Sequence, residues 1–269
     1  MNISNFLIEH ESYIRLFFFF LALFIFGLIE RIHPNRPLTQ NKTSRWLHHL
    51  FLMIINSVIL RFATPIAAIS AAIYAQNHQI GLFNYFEIPL TLNVILCVIL
   101  LDLFIYWQHR LFHVIDFLWA IHKVHHADLD IDVTTAVRFH PIEMVMSLMI
   151  KLLAILVLGA PVIAVVIFET LLNVLAMFNH SNIRLPTKLD KILRYAIVTR
   201  NVHEIHHSTN LKDSQKNFGF HLIWWDILFG SYKVQADDEN FVIGLEELQD
   251  KQDTQPIFSI LTLPFKKRS

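Results

Sequence analysis

Residues 142–178 read IEMVMSLMIKLLAILVLGAPVIAVVIFETLLNVLAMF, an apolar stretch broken once, at Gly159-Ala160-Pro161. Glycine ends a helix and proline starts one, so the break predicts a tight hairpin between two long apolar helices. Working outward, a third apolar run covers Ile88 to Trp107, with Asp102 near its end. A second covers about Leu47 to Ala75 and is interrupted by Arg61 and Pro65, which reads as one kinked helix or a broken one. The first run, Leu16 to Ile29 between Arg15 and Glu30, carries no charge and with a snorkelling arginine reaches roughly 17 residues, the short end of a membrane span. A signal peptide is the competing reading of this run. Glu9, His10 and Glu11 stand where a basic segment would be needed, and Gly27 to Glu30 offers no small-residue cleavage site. After Phe178 the composition turns polar.

The whole composition agrees with a membrane protein. Of 269 residues, 54% are apolar and 16% charged, against roughly 25% charged in soluble domains. Six glycines, none in a phosphate-cradling cluster, exclude a Gly-rich nucleotide loop. Lys plus Arg equals Asp plus Glu at 22 each, so no global field draws the chain to nucleic acid. The single cysteine, Cys97, excludes an intramolecular disulfide and a thiolate metal cage.

Basic residues accumulate in cytoplasmic segments. Segment 31–45 holds four, 108–141 three and the chain after Asn179 twelve, while 76–87 holds none; 19 of 22 fall on one side of a five-crossing map. The expected fold is therefore all-α: an integral, multi-pass helical bundle of four to five spans. A histidine-rich helical cap and the C-terminus lie on the cytoplasmic face. From Lys188 to Arg200, Leu189, Ile192, Leu193, Ala196 and Ile197 share one helical face and Lys188, Lys191 and Arg194 the other. This predicts a helix lying on the inner leaflet or packed on the cap. The tail from Ala236 is acidic, then basic at Lys266, Lys267 and Arg268.

Sixteen histidines are the compositional anomaly. Eight fall in three blocks: His109-Arg110-Leu111-Phe112-His113, His122-Lys123-Val124-His125-His126 and His203-Glu204-Ile205-His206-His207. Offsets of three and four place imidazoles on one helix face, with side-chain bases about 5–6 Å apart. The second and third blocks repeat the same pattern 81 residues apart. One tetrahedral ion takes three or four protein ligands, so this many imidazoles suggest two metals. Such groups at the foot of membrane helices cost desolvation energy unless something binds them. His10, His33, His48, His49 and His78 read instead as surface or capping residues. Ligating imidazoles donate their second N–H to an acceptor. Asp102, two helical turns before His109, is a candidate for that outer role, with Asp128, Glu143, Glu204, Asp213 and Asp226 as others. Asp128, Asp130 and Asp132 read equally well as a solvated acidic loop. Trp107, Trp119, Trp224 and Trp225 read as an interfacial belt or a channel lining.

The strings DLFIYWQHRLFH (102–113), HKVHH, RFHP (138–141), FNHSN (178–182), HEIHH and NFGFHLIWWDILFGSY (217–232) together resemble the fatty acid hydroxylase superfamily, in its sterol desaturase branch. The likeness covers about residues 95–235. It implies a membrane oxygenase whose non-haem di-iron centre is held by histidines and oxidises lipid C–H bonds with dioxygen. Carried over, the metal ligands are His109, His113, His122, His125, His126, His203, His206 and His207, with His180 as a ninth. His140 matches the RFHP element as an outer group, beside Asp102, Glu204 and Asp226. Thr199-Arg200-Asn201-Val202 stands where relatives often carry a proline. The resemblance implies two iron ions, dioxygen as co-substrate, a fatty acyl, sterol or ether-lipid substrate held in the bilayer, and a separate reductase or electron carrier. Hydroxylation and desaturation stay open, as does oligomeric state. The organisation expected is membrane helices over 1–90, a catalytic domain over 91–235 and a cytosolic tail over 236–269.

Two other readings compete. His203-Glu204-Ile205-His206-His207 satisfies H-E-x-x-H, the zinc peptidase pattern with glutamate as general base. That leaves the other two blocks unexplained. A metal transporter or sensor would want polar groups spread through the spans, whereas here they gather at one end.

Overall fold

The structure, a computed structural model, describes residues 3–63, 67–237 and 241–266. Among the described residues nine α-helices of seven residues or more organise it: α1 Ile3–Ile32, α2 Lys42–Ala63, α3 Ala68–Asn77, α4 Leu90–Val114, α5 Asp116–His126, α6 Pro141–Leu158, α7 Val162–His180, α8 Thr187–Leu193 and α9 Arg200–His206. Among the described residues there are no extended strands, only three isolated bridges. Among the described residues five segments are long and apolar enough to cross a membrane: Phe6–Ile32, Lys42–Asn84, Leu90–Val114, Pro141–Leu158 and Val162–His180. The chain is thus a multi-pass membrane protein.

The hairpin at Gly159-Ala160-Pro161 forms as its residues dictate. Gly159 closes α6 in the left-handed conformation, φ 67°, its N–H reaching the Ile155 and Leu156 carbonyls, and Pro161 precedes α7. A second glycine, Gly81 at φ 98°, abuts it: a Cβ there would fall 2.1 Å from the Gly159 nitrogen. Two turns at this end of the bundle therefore touch backbone to backbone. Below them the core runs through Ala68, Ala71 and Ala72 of α3, Cys97, Leu101 and Ile105 of α4, Leu152 and Ile155 of α6, and Val165 and Phe168 of α7. The alanines let α3 approach α6 and α7 closely, as small residues do between membrane helices. Large side chains such as Phe17, Phe24, Phe62 and Leu153 point outward, where lipid replaces water as their solvent.

Several expectations are corrected. The first helix begins at Ile3, well before Leu16, and the third apolar helix runs past Trp107 to Val114. Of the two readings of the second run, the broken helix holds, with α2 and α3 parted at the extended Ala67; Pro65 lies outside the described residues, as do Lys267 and Arg268. The amphipathic stretch from Lys188 does not stay helical to Arg200. It stops at Leu193, because Ile197 bridges Leu222 and the Val198 N–H donates to the His221 carbonyl. Leu189, Ile192 and Tyr195 are left exposed.

At the end opposite the glycine turns, α1, α4 and α7 finish and α2 and α6 begin. Glu30, near the end of α1, is 3% exposed and accepts from the Val133 and Asn182 backbone N–H groups and from Lys42. Arg45 of α2 is fully buried here against Asp128 and Asp132. Residues 241–266 pack on the same base: Ile260 and Leu263 meet Val124 and Ala127, and Arg138 donates to the Thr254 carbonyl.

Candidate metal centre

The nine histidines converge at this base. His109 and His113 lie one turn apart near the end of α4; His122, His125 and His126 occupy the last turn and a half of α5; His180 ends α7; His203 and His206 lie on α9, with His207 capping it. All nine are buried, at 0–6% exposure. They form two groups. One is His109, His113, His122, His126 and His206, the other His125, His180, His203 and His207, and within each the potential ligand atoms all lie within 4.8 Å of one another.

Hydrogen bonds at the outer nitrogens decide what the inner nitrogens present. Nδ1 of His109 donates to the Phe218 carbonyl at 2.8 Å, and Nδ1 of His206 to the Lys216 carbonyl at 2.7 Å. In the second group Nδ1 of His125 donates to the Arg138 carbonyl and Nδ1 of His180 to the Ala176 carbonyl. A carbonyl only accepts, so each of these rings carries its proton on Nδ1 and a bare lone pair on Nε2. Yet Nε2 of His109 faces Nε2 of His206 at 3.0 Å, and Nε2 of His125 faces Nε2 of His180 at 3.0 Å. Two lone pairs at that distance repel unless a cation lies beside both. Two right-angled ligands at about 2.1 Å from one ion are about 3.0 Å apart. The five-histidine group holds one such approach and the four-histidine group two, since Nε2 of His203 also lies 3.0 Å from Nε2 of His180. Buried nitrogens of His113, His122, His126, His203 and His207 have no hydrogen-bond partner either. The donor set therefore fits two metal ions, one per group.

Protonation cannot relieve this crowding. Burial first, then neighbouring imidazoles, pushes His125, His126, His203 and His207 well below the ordinary histidine range, and burial takes His206 down to about 3. Burial thus favours the neutral form of these five rings, which is the form that ligates.

The surroundings orient the rings. Glu143 of α6 accepts from His122 Nδ1 at 2.7 Å. The Phe139 ring stacks on His125 at 4.4 Å, Phe218 meets His109, His113 and His206, and Phe220 lies beside His109 and His203. Trp119 covers His113 and His126 at 5.0 and 5.4 Å. The loop that supplies the Phe218 carbonyl is held by Asp226, which accepts from the Phe218 and Gly219 N–H groups and from Ser231. Asp226 thus acts on His109 at one remove.

Three expected outer groups take other partners. Asp102 does not hold His109. It accepts from the Leu222 N–H and Trp225 Nε1 and lies 3.1 Å from His221 Nδ1, so it clamps the 217–225 loop onto α4. His140 caps α6, accepting from the Ile142 N–H and donating to the Leu261 carbonyl. Glu204 is turned away from the rings into ion pairs with Arg36 at 3.2 Å and Arg200 at 2.8 Å. Asp213 pairs with Lys233. Trp107 and Trp224 are exposed as belt residues would be, at 40% and 45%.

The acidic loop is not solvated. Asp128 and Asp132 are buried against Arg45, and Asp130 accepts from the Thr39 and Gln40 N–H groups. Burial works to raise the Asp128 carboxyl, but Arg45, then His49 and Arg138, hold it well below the usual range. His49, expected at the surface, is 1% exposed, with Nδ1 on Thr134 and Nε2 facing Arg138. Only its position in a polar-faced α2 beside Arg45 hinted at this.

The profile of the fatty acid hydroxylase family matches residues 94–231, just over half of the chain and almost the stretch that carries the histidines. Ornithine lipid hydroxylase OlsE from Rhizobium tropici is 25% identical over 228 residues, covering 82% of this chain and 67% of that protein. Alkylglycerol monooxygenase from Homo sapiens is 31% identical over 142 residues, 52% of this chain and 30% of that protein. The Danio rerio alkylglycerol monooxygenase is 29% identical over 174 residues, 63% and 36% respectively. The chain spans about a third of the length of these two monooxygenases. No solved structure matches it.

Proposed function

The chain belongs to the fatty acid hydroxylase family, and on that premise we propose that it is a membrane oxidoreductase that hydroxylates or desaturates a lipid C–H bond at a di-iron centre. The observation that carries this reading is the pair of opposed, unprotonated Nε2 atoms in each histidine group. His109, His113, His122, His126 and His206 would hold one iron, and His125, His180, His203 and His207 the other. Such a pair supplies dioxygen-dependent C–H oxidation, in which a C–H bond, dioxygen, two electrons and two protons give an alcohol and water.

The chain's own residues set the conditions for that chemistry. Carbonyls at Phe218, Lys216, Arg138 and Ala176 and the Glu143 carboxylate fix ring orientation, which raises ligand basicity and holds the site before metal arrives. Phe139, Phe218, Phe220 and Trp119 wall the rings from water. The site lies at the ends of the spans, so a lipid chain reaches it from the bilayer while a separate electron carrier docks from the water side. The basic excess of the same end supports a cytoplasmic orientation. Residues 91–235 would be the catalytic unit, with 1–90 as membrane helices and 236–269 as the cytosolic tail. The peptidase reading lacks support, because its general base, Glu204, is engaged by Arg36 and Arg200.

The test is a comparison of total lipids by mass spectrometry from cells with the intact protein, with His125→Ala and without the protein. Lipids heavier by one oxygen, or lighter by two hydrogens, should appear only with the intact chain. Identical lipids in all three, with peptide hydrolysis by the purified protein, would overturn the proposal.

A further inference from the structure

Between α4 and α6, close to the five-histidine group, three polar side chains meet inside the span. Gln108, which directly precedes His109, donates through Nε2 to Ser147 Oγ at 2.8 Å. Glu143 lies one turn before Ser147 on α6, and its Oε1 is taken by His122. Two acceptors remain unused there: Gln108 Oε1 and Glu143 Oε2 are both buried without a hydrogen-bond partner. Gln108 lies six residues before the end of α4 and Ser147 six residues after the start of α6. At 1.5 Å per residue both lie about 9 Å inside the helix ends. Trp107 and Leu111, flanking Gln108, are 40% and 43% exposed, and Ile142 at the start of α6 is 38% exposed. Gln108 and Ser147 are themselves half-buried, so the α4–α6 seam that holds them borders lipid.

Polar side chains at a lipid-bordering helix seam are costly there and mark a binding path. The geometry points to a subsite that fixes the lipid substrate by a hydrogen-bond donor, an amide N–H or a hydroxyl, placed within a few bonds of the carbon to be oxidised. Both unpartnered groups are acceptors: a linkage offering only oxygens, such as an ester, can take a hydrogen from the Gln108 amide or the Ser147 hydroxyl but leaves these two buried acceptors unsatisfied. A secondary amide or an alcohol supplies the missing hydrogen. Glu143 then joins the two sites, one oxygen on His122 and the other on the ligand, while Gln108 and Ser147 set the ligand's register along α4. This inference names the substrate class of the reading above and rests on it for the ligand being a lipid.

Matched radiolabelled probes test it by equilibrium binding to the full chain, metal-loaded, in detergent micelles. One pair is N-hexadecanoylglycine and its N-methyl analogue; the other is 1-O-hexadecylglycerol and its dimethyl ether. In at least one pair the donor-bearing member should bind about tenfold tighter, and the pair that discriminates identifies the donor as amide or hydroxyl. Gln108→Leu should reduce that preference to within about twofold at unchanged metal content. If Gln108→Leu fails to fold, Ser147→Ala, which releases the Gln108 amide, should still cut the preference about threefold. Equal binding within both pairs, or full discrimination retained in the variants, overturns the inference. Metal content and oxidised products are scored separately. Oxidation without discrimination removes the subsite and leaves the activity standing; discrimination without any oxidised lipid removes the activity and leaves the subsite.

Discussion

Glu143 offers a perturbation that reaches one histidine group and not the other. Its Oε1 accepts from Nδ1 of His122, which belongs to the five-histidine group, at 2.7 Å. The four-histidine group takes its acceptors elsewhere, from the Arg138 and Ala176 carbonyls. Loss of an outer acceptor lowers metal affinity about 10- to 100-fold, which is about 1.4–2.7 kcal/mol. Glu143→Gln keeps an oxygen for His122 and loses the charge, so it should fall near the lower bound. Glu143→Leu keeps neither and should fall near the upper. The assay is chelator titration of iron-loaded protein, with the metal that remains counted by mass spectrometry after desalting. One equivalent should leave about 10-fold earlier in Glu143→Gln and about 100-fold earlier in Glu143→Leu, while the other leaves where it does in the parent. Glu204→Gln, altering an ion pair that faces away from the rings, should leave both equivalents in place. Both ions shifting together, or neither shifting, would refute the division into two groups.

Other perturbations probe the scaffold. Arg45→Leu strands the buried Asp128 and Asp132 carboxylates and should cost about 3–5 kcal/mol, read as a fall of roughly 5–9 °C in thermal melting; a melting point within a degree or two of the parent would contradict the ion cluster. Gly219→Ala puts a Cβ 2.7 Å from Asp226 Oδ2 and 2.9 Å from Val198 Cγ2. It should displace the loop whose Phe218 carbonyl holds His109 and lower bound metal, measured by elemental analysis, with unchanged metal as the opposing result. Glu169, buried in α7, pairs with Arg15 of α1 at 2.9 Å and with Lys151 of α6. Glu169→Leu leaves two cations facing each other within the span and should cut the folded yield from membranes, and Lys151→Met added to it should restore part of that yield; no loss in the single variant would contradict the pairing.

What could be read before coordinates follows from the range of each signal. Helix periodicity and caps act over a few residues, so the α6–α7 hairpin and the imidazole pairs four residues apart, His109 with His113, His122 with His126 and His203 with His207, were legible from Gly159, Pro161 and those offsets, whereas the three-residue offsets put His125 and His206 in the opposite group from His122 and His203. Positive charge placement acts over whole loops, and it put every block at one end of the bundle. Pairings across long separations were not legible. Arg45 meets Asp128 83 positions away, so an acidic run that reads as solvated becomes the buried counter-charge of a helix from the other end of the chain. Asp102 shares a helix face with His109, but the loop carrying His221, Leu222 and Trp225 reaches it first. The same loop ends the amphipathic helix soon after Leu193, since the Val198 N–H and the Ala196 carbonyl pair with it. The division of nine histidines into five and four also depends on how α4, α5, α7 and α9 meet, and no spacing along the chain encodes it.

The most direct test is the metal itself. Protein purified from iron-supplemented cells should carry two irons per chain with the spectroscopic signature of a coupled pair. His180→Ala should retain one iron in the five-histidine group, and His206→Ala one in the four-histidine group. A single zinc per chain, or two irons undisturbed by either substitution, would contradict a centre built from these two sets of imidazoles.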